Sequence, residues 1–221
     1  MVLWTIESRA SELISAPVPE TPLGILARLH ALLLYQIMRM LDGDIVARAS
    51  AECAIPALES AAFSLFGMIR FDDGSAGSLP EGGEVVSDQD SLPILPETDP
   101  NFWQDWLFQE SGRRSLVLTF FFIQAQEILT GRRNPGICDY NLSLCRSWTM
   151  SSHLWSAQNP VDFAIAWREK RQFTIMGGSF AHVLRDAEPE DVDKFGRMMM
   201  VSVLGIDEAS MWFYRKGGVL K

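Results

Sequence analysis

The chain has 221 residues, of which 48% are hydrophobic and 21% are charged, and its net charge is −9. These values are typical of a globular protein with a sizeable core. The negative charge disfavours direct binding of DNA or RNA, which needs a cationic face. Three cysteines argue against a secreted disulfide framework, and we therefore expect a reducing compartment, the nucleus or the cytoplasm.

The N-terminal third of the sequence predicts helices separated by proline and glycine. Residues 1–15 form a short helix, and Thr21 followed by Pro22 is a typical start for a second, strongly apolar helix that we expect to be nearly surrounded by protein. Gly43 ends that helix, and Asp44 can cap the next one, which breaks or kinks at Pro56 and continues to about residue 67.

Residues 71–101 have a different composition. The segment is rich in Gly, Ser, Pro and acidic residues and has almost no hydrophobic periodicity, which predicts a long flexible loop. Between Phe71 and Glu110 there are ten Asp or Glu residues and no Lys or Arg. Most of the chain's excess negative charge therefore lies in this part of the sequence.

The remainder also predicts helices. Asp99 and Pro100 mark the start of a long helix that reaches about Leu129, and Asn159 with Pro160 caps another. Shorter helices are expected in MSSHLWSA, MGGSFAHVLRDA, PEDVDKFGRMMMVSVLG and DEASMWFYRKGG. We find no internal repeat and no convincing strand. The sequence predicts an all-α fold with one multi-helix domain over residues 1–221. Its longest uniformly apolar run, LVLTFFFI, is too short to span a bilayer, and no membrane association is expected.

The stretch WQDWLFQESGRRSLVLTFFF, residues 103–122, combines an acid and two arginines with aromatic residues. On a helix Glu110 and Arg114 are four residues apart, which favours a half-buried salt bridge that fixes the helix register. The alternative is that Glu110 or an arginine faces a ligand pocket walled by Trp103 and Trp106.

Three stretches resemble the regulatory region of fungal binuclear zinc-cluster transcription factors. W-x-x-W followed by E-S-x-R-R and an apolar run, in residues 103–122, is similar to the W…ESRRR segment of that family's middle homology region. LHALLLYQIMRMLDGD resembles its QALLLYQI…GD helix pair, and SWTMSSHLWSAQNPVDFAIAW resembles its LW-x-A segment. The three stretches keep the family's order over about residues 29–167.

The resemblance implies an all-helical fold, a regulatory role, and binding of small effectors or partner proteins. The family's zinc cluster needs six cysteines near the N-terminus, and Cys138 and Cys145, with six residues between them, cannot form it. Gly112 also departs from the pattern, because a helix-favouring residue is usual there. We expect either a part of a longer regulator or a separate protein descended from one.

Standard catalytic motifs are absent: the sequence has no G-x-S-x-G, no P-loop, no G-x-G-x-x-G and no H-E-x-x-H. No metal site or cofactor is expected. His153 lies between Trp148 and Trp155 and is the best candidate for a general acid or base, because histidine titrates near neutral pH. His30 is expected to be a hydrogen-bonded core residue, and Cys53 a small buried hydrophobic residue.

Three functions fit these observations. The first is a regulatory domain that binds a small hydrophobic molecule or a protein partner through Trp103, Trp106, Arg114, Trp148 and Trp155. Such a domain is also expected to form a homodimer. The second is a cofactor-independent isomerase, cyclase or dehydratase of fungal secondary metabolism that uses His153 and Glu110. The third is an interaction module that pairs with an intact regulator and blocks it.

Overall fold

A computed structural model describes residues 2–42, 44–71, 100–134, 140–145 and 147–220. Within these ranges the chain forms eleven α-helices and one two-stranded sheet, which confirms the all-α prediction. The packing divides the chain into two compact units. The first contains Met1–Arg70 and Phe108–Cys145, and the second contains Phe71–Leu107 and Arg146–Lys221. Whether they form one domain, as the sequence predicts, stays a prediction.

The helices of the first unit are α1 (Val2–Ser15), α2 (Pro22–Leu41), α3 (Ile45–Cys53), α4 (Ile55–Phe66), the larger part of α5 (Pro100–Leu129) and α6 (Tyr140–Leu144). Two predicted caps are confirmed. The hydroxyl of Thr21 accepts a hydrogen bond of 3.1 Å from the amide of Gly24, and the carboxylate of Asp44 accepts one of 2.8 Å from the amide of Ala47. The predicted break near Pro56 is also present, between α3 and α4.

Helix α2 is the centre of packing in the first unit, because it contacts α1, α3 and α4. The buried side chains of α2 are Ile25, Leu26, Leu29, Leu32, Leu33, Gln36 and Arg39. The expectation that α2 is nearly surrounded was wrong: Leu34 is 55% exposed and Leu41 is 75% exposed. Its apolar residues are more numerous than its neighbours can cover.

By length and composition alone, α2 passes the test for a helix that can cross a membrane. Central helices of folded domains pass the same test. Arg39 is buried in α2, where its guanidinium donates a 3.1 Å hydrogen bond to Glu7 of α1 and another to Gln36. The Gln36 amide in turn donates to the carbonyl of Ala51 in α3. This polar network joins three helices of the first unit.

The second unit holds the start of α5, followed by α7 (Ser152–Trp155), α8 (Pro160–Glu169), α9 (Ala181–Asp186), a 3₁₀ turn (Pro189–Asp191), α10 (Lys194–Leu204) and α11 (Ile206–Arg215). It also holds strands β1 (Ser147–Met150) and β2 (Phe173–Met176). These strands are a correction to the expectation of no strand. They pair antiparallel, with Met150 opposite Phe173 and Ser147 opposite Met176.

The strands form because they pack against a shared core. Trp148, Met150, Phe173 and Ile175 are all at most 3% exposed. Gly196 of α10 allows a close approach there, because a Cβ atom at this position would lie 2.5 Å from the sulfur of Met150. The sheet therefore belongs to the interior of the second unit.

Three features of the sequence analysis lie outside the described residues, and the first is Gly43, the predicted end of α2. The acidic loop at 71–101 falls there except for its first residue and the start of α5, and so does Cys138. Between α5 and β1 the described residues also contain the short helix α6.

Candidate functional site

The first candidate site is the charged cluster of α5 in the first unit. Glu110 is fully buried, and its two carboxylate oxygens accept hydrogen bonds from the Nε groups of Arg113, at 3.0 Å, and Arg114, at 3.1 Å. The predicted salt bridge between Glu110 and Arg114 is present, and it is buried more deeply than expected. A second arginine completes it. Because isolated buried charges are costly, these three groups must stay together.

The same part of α5 forms hydrogen bonds with Met68 and Arg70, which follow α4 in the chain. Arg113 Nη1 donates a 2.8 Å hydrogen bond to the carbonyl of Arg70. The side chain of Gln109 accepts a 2.8 Å hydrogen bond from the amide of Arg70 and donates one of 3.3 Å to the carbonyl of Met68. Side chains of α5 thus form hydrogen bonds with backbone groups of Met68 and Arg70, which follow the end of α4 and are no longer helical.

Gly112 is explained by the same contact. A Cβ atom at Gly112 would lie 2.2 Å from Cδ1 and 2.7 Å from Cγ1 of Ile69. At the position that departs from the resembled family, a methyl group would therefore fit only if the side chain of Ile69 moved. Sequence reasoning noticed the glycine but missed its partner, because Ile69 is 43 residues away in the chain.

The second candidate site is an aromatic cluster in the second unit. Its buried members are Trp106, Leu154, Phe163 and Ala166, and partly buried hydrophobic residues around them are Phe102, Trp103, Leu107, Ala157 and Trp167. The ring centroid of Trp106 lies 5.0 Å from that of Phe163 and 6.1 Å from that of Trp155. Trp155 is 38% exposed, so the cluster reaches the surface.

Two indole groups of this cluster lack hydrogen-bond partners among the described residues. The Nε1 atoms of Trp103 and Trp167 are buried, and neither finds an acceptor in the described part of the chain. Buried Trp N–H groups usually have a partner, and an unsatisfied buried donor costs about 1–3 kcal/mol. A ligand that satisfied both groups would have to be largely apolar and carry a hydrogen-bond acceptor.

The structure brings together Trp103, Trp106 and Trp155 of the predicted ligand-binding residues. Trp148 instead packs with Phe180, at 6.1 Å between ring centroids, and with Phe195, at 5.0 Å. Sequence reasoning did not include Trp167 or Phe163. Their spacing of four residues in α8 places them on one helix face, and that signal was present in VDFAIAW.

His153 is the second residue of the four-residue helix α7. Its Nε2 atom is 3.4 Å from a carboxylate oxygen of Asp191, and its side chain is 29% exposed. The other carboxylate oxygen of Asp191 accepts a hydrogen bond from the amide of Glu188. The carboxylate can orient the imidazole, as an acid or base residue requires. The catalytic role of His153 stays a prediction.

The remaining titratable candidates are placed as follows. His30 shares a 2.6 Å hydrogen bond with the hydroxyl of Ser115, and burial lowers the pKa of His30. The hydrogen bond was expected, but His30 is only partly covered by protein and does not belong to the core. Cys53 is exposed, contrary to expectation, because it lies at the end of α3. Cys145 is buried, which raises the pKa of its thiol to about 12.

No group of three or more His, Cys, Asp or Glu side chains comes close enough to hold a metal ion among the residues that the structure describes. The roles predicted for Glu110 and Arg114 in a ligand pocket stay predictions. Both side chains are engaged within the charged cluster, where they connect adjacent turns of α5.

Comparison with known proteins supports the resemblance read from the motifs. No protein-family model and no solved structure matches the chain. Over 214 residues the chain is 28% identical to the transcription factor gsfR2 of Penicillium aethiopicum. The alignment covers 96% of this chain and 48% of that relative, so the chain spans about half the length of the protein it matches. The predicted resemblance to fungal transcription factors is confirmed over nearly the whole chain.

Proposed function

We propose that this chain is a regulatory domain of the transcription-factor type and that its aromatic cluster binds a small hydrophobic effector. The similarity to gsfR2 over 96% of the chain supports the regulatory part of the proposal. The observation that carries effector binding is the pair of buried, unpartnered indole N–H groups of Trp103 and Trp167.

The chemistry of the effector follows from the cluster. Apolar contact with the less buried rings of Trp103 and Trp155 would supply most of the binding free energy. A carbonyl or ether oxygen on the effector would accept a hydrogen bond from Trp103 or Trp167. A compound without such an acceptor leaves those donors unsatisfied, so the cluster should bind it more weakly than a compound that has one. The expected effector is therefore an aromatic compound with at least one carbonyl oxygen.

A matched pair of probes tests this proposal. Benzophenone and diphenylmethane have similar size and apolar area, but only benzophenone has a carbonyl oxygen. We expect benzophenone to quench the tryptophan fluorescence of the chain and to bind about tenfold more tightly, the value of one hydrogen bond of roughly 1.4 kcal/mol. Trp103→Phe and Trp167→Phe keep an apolar ring and remove the donor, and together they should abolish the preference.

Trp4→Phe is the control, because Trp4 is 76% exposed and lies in α1, outside the cluster. Equal affinities for the two probes would contradict the role of the indole donors. Absence of binding by either probe, in a chain with unchanged circular dichroism, would contradict an aromatic effector site.

The sequence also indicates binding of a protein partner in place of a small molecule. A homodimer is a further expectation from the sequence. We also propose that the protein acts in the nucleus or cytoplasm, as its similarity to a transcription factor supports.

A further inference from the structure

A second surface of the second unit has the features of a peptide-binding groove. The groove has a volume of about 770 Å³ and lies among the end of α8, the start of β2 and helix α9. Its charged residues are Arg168, Glu169, Lys170, Arg171, Arg185 and Asp186. Four cations and two acids give a local charge of +2, on a chain whose net charge is −9.

The cations of the groove are of two kinds. Arg185 and Arg171 both donate to the carboxylate of Asp186, at 2.9 to 3.2 Å, and this group forms one wall. Arg168 and Lys170 are exposed and make no ion pair within the described residues. These two cations are therefore available to an acidic ligand.

Strand β2 offers backbone groups at the same place. In the part of the chain that the structure describes, β2 pairs with β1 on one side, and its last residue, Met176, also forms an antiparallel bridge to Ser179. Neighbouring residues of a strand point to opposite faces, yet both Phe173 and Thr174 line the groove. The groove therefore reaches the edge of β2 at its start, beside Phe173 and Thr174. Unpaired strand edges can accept an added strand from another chain.

We propose that this groove binds an extended acidic peptide segment of a partner protein, which adds as a further strand to the edge of β2 beside Phe173 and Thr174. Backbone hydrogen bonds to β2 provide affinity, and Arg168 and Lys170 select acidic side chains. Nucleic acid fits less well, since salt-dependent binding typically rests on about 6–10 neutralised phosphates and this groove contains two carboxylates of its own. The site is separate from the aromatic cluster and does not depend on effector binding.

The test uses a fluorescein-labelled heptapeptide of alternating Glu and Thr and measures fluorescence anisotropy at low ionic strength. We expect the double variant Arg168→Ser, Lys170→Ser to bind this peptide about tenfold more weakly, since two exposed ion pairs are lost. Arg215→Ser removes an exposed cation of α11 that lies outside the groove and should leave the affinity unchanged.

Two further peptides test strand addition with the charge held constant. They carry N-methyl groups on alternate amides, one on the odd and one on the even positions. Because only every other amide of an added strand faces β2, one isomer should lose binding and the other should keep it. Equal binding by both isomers would overturn strand addition. Binding of an equivalent Lys–Thr peptide, tighter binding of single-stranded DNA, or no binding at all would overturn the acidic-peptide proposal.

Discussion

Replacing Gly112 by Ala has two opposite effects on the stability of the protein: it favours the helical backbone of α5, and it crowds the side chain of Ile69. Alanine is the better helix former, and in the middle of α5 the change should stabilise the fold by about 1 kcal/mol through backbone propensity. The added methyl group would lie 2.2 Å from Cδ1 and 2.7 Å from Cγ1 of Ile69, which is only 8% exposed. Overpacking of this kind costs about 1–3 kcal/mol. We expect a net destabilisation of about 1 kcal/mol.

The companion change Ile69→Ala reverses the sign of the effect. It removes both atoms that would clash and retains Cβ, which lies 4.0 Å from the position that the new methyl group would occupy, an ordinary contact distance. By itself Ile69→Ala should cost about 2–5 kcal/mol through lost burial and a cavity. In that background Gly112→Ala should stabilise the protein, because the propensity gain remains and the methyl group fills part of the cavity.

Urea denaturation of the four proteins, followed by circular dichroism, gives the coupling free energy directly. We expect a coupling of about 2 kcal/mol between the two sites. If Gly112→Ala stabilises the protein equally with and without the Ile69 side chain, the close approach of Ile69 to α5 is refuted. The same result would mean that packing against Ile69 does not explain why position 112 is a glycine.

Three further outcomes are expected. Glu110→Gln should lower the unfolding free energy by about 3 kcal/mol because it leaves two buried guanidinium groups without their carboxylate, whereas Glu12→Gln at an exposed pair should cost less than about 1 kcal/mol; similar costs in urea melts would refute the difference. Iodoacetamide near pH 8 should label Cys53 in the native protein and spare Cys145, whose burial raises its pKa to about 12, and peptide mass spectrometry would expose equal labelling. Burial raises the pKa of Glu7, but hydrogen bonds from Ser50 and Arg39 and the charge of Arg39 outweigh it, and the pKa falls below its usual 4.5. The native state then binds fewer protons than the unfolded state, so Glu7 should contribute stability above pH 4.5 that is lost as the pH falls through the lower native value, and Glu7→Gln should flatten this loss in melts recorded across the acid range.

Local signals made the helices predictable from the sequence. Thr21, Asp44 and Asn159 cap helices because their side chains reach amides two or three residues ahead, and those distances depend on sequence spacing alone. Glu110 and Arg114 were paired correctly for the same reason, since residues four apart meet on a helix.

The features that sequence reasoning missed depend on contacts between distant segments. Strand β2 is only four residues long, and it forms because it pairs with β1, with Phe173 opposite Met150. A run this short has too little alternation to signal a strand by itself. The unpartnered indole of Trp167 and the groove beside β2 likewise arise from tertiary packing, which composition and periodicity do not report.

A single contact in the first unit explains why the apolar helix α5 contains an acid, arginines and a glycine. Gln109, Gly112 and Arg113 lie within five consecutive residues, and all three contact the segment Met68–Arg70. The glutamine and arginine satisfy its backbone, and the glycine makes room for Ile69. Arg113 can be buried at this contact only because Glu110 neutralises it. The polar residues of this helix therefore hold a chain segment in place, and the apolar residues around them form the core that makes their pairing necessary.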